Sequence, residues 1–340
     1  MVSMTLVVQK QQKGINIIME EKTAQLFHHC LRVSCENGVW QPQRFAEQTL
    51  AFYEELDEGK KLRAHSTAGI TMDFVTDAEE ISFSYESYGF CRPFVNFDIY
   101  ENNVLMKTVK EPEYSREGRV LYRKQSKGQT RITIYLPQCV WLGVKELSLG
   151  DWKPVEEKKK RILFLGDSIT QGMTVSAPSQ SFPVLTAGYL QYDYINQGVG
   201  GYVFCADSLK ETAAAKPDRA IVAYGTNDYS AVREGKLSLE KMRQNAAEYL
   251  ETLCRILKPE KIGVISPIWR GDCDDKEGGL FLQVRDMLWE ESSRRGILFV
   301  DGLTLVGHQE NLYVDGVHPN DWGANMYALN LLRMLTMHHF

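Results

Sequence analysis

Four short stretches of this chain carry side chains able to attack and release an acyl group. They are Gly166-Asp167-Ser168, Asn196-Gln197-Gly198-Val199-Gly200-Gly201, Gly225-Thr226-Asn227-Asp228 and Asp315-Gly316-Val317-His318-Pro319. The Ser168 hydroxyl becomes a nucleophile if a base reaches it and if hydrogen-bond donors await the charge on the attacked carbonyl. Histidine is the usual base near neutral pH, and after Ser168 the chain holds His308, His318, His338 and His339. The last two lie at the tail, a poor place for a fixed site. His318 has Asp315 three residues before it on one turn. A carboxylate there can accept from the second ring nitrogen, fix the tautomer and stabilise the imidazolium. The amide of Ser168 at a helix start, the amide of Gly201 and the side-chain NH2 of Asn227 supply three donors for an oxyanion. Taken singly, each stretch has a plainer reading: Gly-Asp-Ser and Gly-Thr-Asn-Asp are common strand-ending turns, and Asp-x-x-His is a common capping pair. Residues 196–201 also lack the Gly-x-Gly-x-x-Gly spacing of a dinucleotide loop. Together, in this order and each at a strand end, they point to one site.

The elements that must position them follow from pattern. Residues 161–166 are a mostly apolar run that stops at glycine, which reads as a buried strand handing over to a helix. Helix at 181–190, strand at 192–196, helix at 204–215 and strand at 219–224 come next. A long amphipathic helix at 239–257 opens at Ser238 and stops before Pro259. Strand 261–266, helix 281–295 ended by Gly296, strand 297–300 and helix 322–337 complete the series. Apolar strands alternating with helices predict a parallel sheet covered on both faces. The polar turns then share its carboxyl edge, where open α/β sheets bind ligands.

The earlier half has a different texture. Residues 1–20 read as a leader or a disordered segment. Residues 21–155 read as an antiparallel β-sandwich, jelly-roll-like, because 71–75, 80–85, 94–100 and 130–136 alternate with period two. Glu101-Asn102-Asn103 should join a hairpin, and 43–56 fits either a helix or a strand with a covering loop. The charged connector 150–160, with Pro154, marks the boundary to a second domain at 156–340. The 340 residues are 44% hydrophobic and 24% charged, which suits a globular protein of two domains. A net charge of −5 argues against nucleic acid or an anionic membrane as partner. No apolar run reaches the roughly 20 residues that span a bilayer, and the first residues lack the form of a secretory signal. Seven scattered cysteines without Cys-x-x-Cys suit reduced thiols in the cytoplasm. No His/Cys cluster has zinc spacing, and the adjacent His28 and His29 would point to different faces.

With Ser168, Gly201, Asn227 and the Asp315/His318 pair in place, residues 161–337 resemble the SGNH, or GDSL, hydrolase family. Its four blocks carry Ser, Gly, Asn and His; Ile169 stands where leucine is usual, a conservative change. The resemblance implies a flavodoxin-like three-layer α/β/α fold, ester hydrolysis through an acyl-serine, and no metal or organic cofactor. The β-rich half in front is similar to the layout of carbohydrate esterase family 2 deacetylases and of other two-domain acylesterases and acyltransferases. The expectation is a serine esterase that removes a short acyl group, acetyl first, from a saccharide or related small ester. Acyl transfer to a sugar or metabolite hydroxyl, or a chiefly carbohydrate-binding protein, are the alternatives. Trp269, in the loop after the fourth parallel strand, and Tyr229, beside Asn227-Asp228, fit either contact with substrate or packing. Nothing in the sequence bears on oligomeric state.

Overall fold

The structure, a computed structural model, describes residues 21–340, so the expectation for 1–20 lies outside the described residues. Alternating residues build two antiparallel sheets. The strands are β1 (Phe27–His28), β2 (Arg32–Glu36), β3 (Val39–Gln43), β4 (Thr71–Thr76), β5 (Glu80–Phe90), β6 (Asn96–Glu101), β7 (Val104–Lys110), β8 (Glu117–Arg123), β9 (Thr130–Tyr135), β10 (Val140–Ser148) and β11 (Trp152–Pro154). One sheet runs β1-β4-β9-β6-β7 with β11 beside β4; the other runs β2-β3-β10-β5-β8. Phe74, Ile99, Ile132 and Ile134 from the first pack with Phe83, Tyr85, Leu142 and Val144 from the second in one dry core. That is the expected sandwich. The hairpin joins β6 to β7, as the Asn102-Asn103 turn requires.

Beyond residue 160 the strands are parallel: β12 (Arg161–Gly166), β13 (Asp193–Gly198), β14 (Arg219–Ala223), β15 (Ile262–Ile265) and β16 (Leu298–Val300), in the order β13-β12-β14-β15-β16. This is the flavodoxin-like order 2-1-3-4-5, whose switch point lies at the end of its first strand. Side chains alternate across the sheet. Leu163, Leu165, Val222 and Val264 face two helices, Leu239–Cys254 and Leu280–Ser293. Ile162, Phe164, Ile221 and Ile265 face Phe182–Leu190 and Asp321–Met337.

One expectation is corrected, and one open stretch takes a definite form. Residues 204–215 form no single helix but two short 3-10 turns, Ala206–Leu209 and Thr212–Ala215. Glu211 between them has φ +56°, which stops a right-handed helix. Tertiary contact holds it there: Glu211 Oε2 accepts the amide of Gln48, and Lys210 O accepts from Thr49 Oγ1. The open stretch 43–56 resolves as α1 (Glu47–Leu56), followed by α2 (Glu58–His65), which Asp57 caps by accepting from the Lys60 amide. These two helices leave the sandwich. Phe45, Leu50, Tyr53 and Ala64 bury in the same core as Leu163, Leu165 and Val222 of the parallel sheet, so residues 21–155 are not β-sandwich throughout.

Polar contacts tie the halves together elsewhere. His29 Nδ1 lies 2.7 Å from Asp193 Oδ1, its ring stacks on Tyr194 at 3.9 Å, and Arg161 Nε reaches Asp193 Oδ2. Burial pushes the Asp193 carboxyl up, but these two partners outweigh it and hold the pKa near 2. Asn96 Nδ2 donates to Ser176 O at 2.8 Å, and the Tyr194 hydroxyl donates to Gly69 O at 2.7 Å. Among the described residues no helix is long and apolar enough to cross a membrane.

Candidate active site

Strand β12 ends at Gly166, and Asp167 turns the chain into α3 (Ser168–Gln171) by accepting the Ile169 amide on Oδ1 at 2.9 Å. That cap explains the aspartate and leaves Ser168 as the first helical residue, its amide unpaired within the helix. Ser168 Oγ donates to His318 Nε2 at 2.7 Å. His318 Nδ1 lies 2.9 Å from Asp315 Oδ2 and 3.1 Å from Oδ1. A carboxylate only accepts, so Nδ1 carries the hydrogen and Nε2 is free to accept from the serine. Asp315 Oδ1 also takes the backbone amides of His318 at 2.9 Å and Val317 at 3.1 Å, which winds the turn so that ring and carboxylate meet. Partial burial pushes the Asp315 carboxyl up, but the hydrogen bonds from His318 and Val317 pull it below the usual range. The turn is braced from outside: Gly271 N donates to Gly316 O at 2.7 Å, and Thr174 Oγ1 donates to Pro319 O at 2.9 Å.

The opposite wall is the glycine turn after β13. Its amides can be accounted for one by one. Gly198 N donates to Asn196 Oδ1, Val199 N to Gly166 O, Gly200 N to Gln171 Oε1 and Tyr202 N to Val199 O. Gly201 N, between them, has no acceptor among the described residues. Gly201 sits at φ +69°, a conformation that favours glycine. Gly198 must be glycine for another reason: a Cβ there would lie 2.3 Å from Gln171 N, because the strand end passes against α3. From the end of β14, α5 (Thr226–Arg233, after α4 at Phe182–Leu190) presents Asn227, whose Nδ2 is fixed by Tyr202 O at 2.9 Å. Ser168 and Asn227 at helix starts, and Gly201, Asp315 and His318 in turns, therefore lie at the same carboxyl edge. The arrangement can deprotonate a hydroxyl and offer amide donors to the charge that its attack creates.

Two acids lie beneath the site, Asp167 and Asp228, 2% and 0% exposed. Burial pushes both to about 7; for Asp167 the nearby Asp228 adds to it. Asp228 Oδ1 accepts the Phe204 amide at 3.3 Å, and Oδ2 is buried without a partner. Tyr229 is wholly buried, edge-on to Phe281, with its hydroxyl donating to Asp272 O. Of its two readings, substrate contact or packing, the burial fits packing: on α5 it faces the core. Trp269 is half-buried, stacked on His308 and tilted against Tyr313, so it packs under the His318 turn. Other residues that shape the site escape a sequence reading. Arg270, buried, donates to Thr226 O, Thr226 Oγ1 and Ser230 Oγ and so anchors α5. Arg44 and Lys60, far off in the sequence, reach the glycine turn. Only Gln171 carried a local signal, three residues after Ser168.

Residues 164–326 match the model of the GDSL-like lipase/acylhydrolase family. No curated protein matches the chain by sequence. Among solved structures, it is similar to the salicylyl-acyltransferase SsfX3 from a tetracycline biosynthetic pathway, at 16% identity and TM-score 0.74, over 92% of this chain and 94% of that one. A protein of Bacteroides ovatus described as a GDSL-like lipase is similar at 17% identity and TM-score 0.73, over 94% and 96%. A family two carbohydrate esterase from Cellvibrio japonicus is similar at 18% identity and TM-score 0.62, over 80% and 90%. At these identities the likeness is one of fold.

Proposed function

The chain belongs to the GDSL-like lipase/acylhydrolase family through residues 164–326, and from that premise we propose that it is a serine esterase removing short acyl groups, acetyl first, from a saccharide or related small ester. The observation that carries this reading is the continuous relay from Ser168 Oγ through His318 to Asp315, at 2.7 and 2.9 Å. Ser168 Oγ attacks the acyl carbon as His318 Nε2 takes its proton. The amides of Ser168 and Gly201 and the side chain of Asn227 hold the oxyanion. His318 then gives its proton to the departing alcohol, and Asp315 stabilises the imidazolium between the two steps. Water, deprotonated by the same nitrogen, frees Ser168 and the carboxylic acid.

The preference for short acyl groups rests on the sequence, in which no long apolar segment follows the site as a lid for a lipid chain. The saccharide is supported by the sandwich beside the site and by similarity in fold to a carbohydrate esterase. We place the protein in the cytoplasm on its seven free thiols.

Hydrolysis of 4-nitrophenyl acetate, compared with the decanoate, tests the proposal. Expected are turnover lost in Ser168→Ala, a transient acetyl adduct on the wild type by intact mass, and acetyl faster than decanoyl. Turnover indifferent to Ser168, or faster on decanoyl esters, overturns it. A second reading is transfer of the acyl group to a sugar or metabolite hydroxyl; a fold neighbour is itself an acyltransferase. An added acceptor alcohol that appears as its ester among the products would select that reading.

A further inference from the structure

The glycine turn that presents the Gly201 amide is held by residues from the other half of the chain. Arg44 Nη1 donates to Asn196 O at 2.5 Å and to Gly198 O at 3.0 Å. Lys60, on α2, reaches across with Nζ 2.9 Å from Gly201 O and 3.4 Å from Gly200 O. Gly200 C=O and Gly201 N–H are the two ends of one trans peptide and point in opposite directions. Gly200 O is the more distant of the two carbonyls; the nearer, Gly201 O, belongs to the next peptide, whose N–H is that of Tyr202. A cation on the carbonyl end draws electrons from the N–H end and makes that hydrogen a stronger donor, as in a chain of hydrogen bonds. It also adds positive field at the position where the oxyanion forms.

We infer that Lys60 is a positioning residue for the oxyanion hole: its ammonium fixes the glycine turn chiefly through Gly201 O and, from 3.4 Å, polarises the Gly200–Gly201 peptide, so that the amino-terminal half completes the catalytic apparatus of the carboxyl-terminal half. The inference rests on the esterase reading above. Lys60 suits the task. Asp57 caps α2 through the Lys60 backbone amide at 2.7 Å, which fixes the first turn of the helix that carries Lys60. Lys60 forms no ion pair with a carboxylate among the described residues, so its charge is not spent elsewhere. The turn carbonyls are its acceptors, and Gln171 occupies the Gly200 amide, leaving Gly201 N without an acceptor among the described residues.

Lys60→Met, Lys60→Arg and Ser168→Ala, each made in the full chain, test this with 4-nitrophenyl acetate, a short alkylboronic acid that forms a tetrahedral adduct on Ser168, and thermal unfolding. Loss of a whole oxyanion donor costs about 10²–10³ in kcat; a residue acting through a donor should cost less. The expected result for Lys60→Met is a fall of about ten-fold in kcat, an unchanged KM, boronate affinity weakened by the same factor and an unchanged melting temperature. Lys60→Arg should recover most of the loss. A Lys60→Met enzyme with wild-type kcat, or with its defect confined to KM, overturns the role of Lys60 while the esterase reading stands. Wild-type turnover indifferent to Ser168→Ala overturns both.

Discussion

Arg44 is a guanidinium 1% exposed with no carboxylate beside it. Its hydrogen bonds run from Nε to Ser66 O at 2.7 Å, from Nη1 to Asn196 O and Gly198 O, and from Nη2 to Arg63 O at 2.6 Å, Ala64 O at 3.4 Å and Ser66 Oγ at 3.0 Å, and its guanidinium carbon lies 5.2 Å over the Phe45 ring. It caps the end of α2 and grips the end of β13 at once. Replacing it by methionine keeps the length and removes five N–H donors, which between them reach six oxygens. At roughly 1–1.5 kcal/mol per donor, these contribute on the order of 5–8 kcal/mol. Burial opposes the charge and draws the Arg44 pKa down to about 10. Relief of that penalty returns roughly 3 kcal/mol at about 1.4 kcal/mol per pKa unit. Arg44→Met should therefore lose roughly 2–5 kcal/mol, a large share of an ordinary domain's stability. Equilibrium urea unfolding followed by fluorescence measures it. Because the lost bonds hold the oxyanion turn, kcat per folded molecule should fall as well. A variant within about 1 kcal/mol of wild type, inside the range of an ordinary surface substitution, would refute the reasoning, since it would mean that these carbonyls do not need the guanidinium.

Asp315→Ala should slow ester hydrolysis less than His318→Ala, because Asp315 orients the base and does not carry the transferred proton; equal losses in kcat/KM would contradict that division. Stability should depend on pH through Asp167 and Asp228. Folded, both keep their protons to about pH 7, whereas the unfolded chain releases them from about pH 4. Unfolding is then linked to proton release, and stability declines from about pH 4 to pH 7. Melting temperatures across that range should fall, and Asp228→Asn should flatten the fall; an unchanged slope would count against it. Asp193 acts in the opposite sense at lower pH. Its pKa is held near 2 by His29 and Arg161, so its contribution is present above about pH 4 and disappears toward pH 2. Asp193→Asn should therefore lose less stability than wild type between pH 4 and pH 2 in acid-unfolding curves.

Much of this protein was legible in its sequence because the relevant physics is local. Period-two alternation marked the sandwich strands, and apolar runs broken by polar glycine turns marked the parallel sheet. Ser238 did cap its helix, accepting from the Lys241 amide at 3.1 Å. The Asp315–His318 pair is a single turn whose geometry its own side chain dictates. What the tertiary structure decided involves partners far apart in the chain. Whether 43–56 is helix or strand depended on a parallel sheet more than 100 residues away that could bury Phe45, Leu50 and Tyr53. The 204–215 helix failed because α1 docks on Lys210 and Glu211. Tyr229 and Asn227 are two residues apart, yet one is core and the other faces the edge. Arg44 and Lys60 carry no motif at all. They matter because folding sets their donors against carbonyls of the glycine turn, about 140 to 150 residues on, and such a meeting leaves no periodicity or spacing to read.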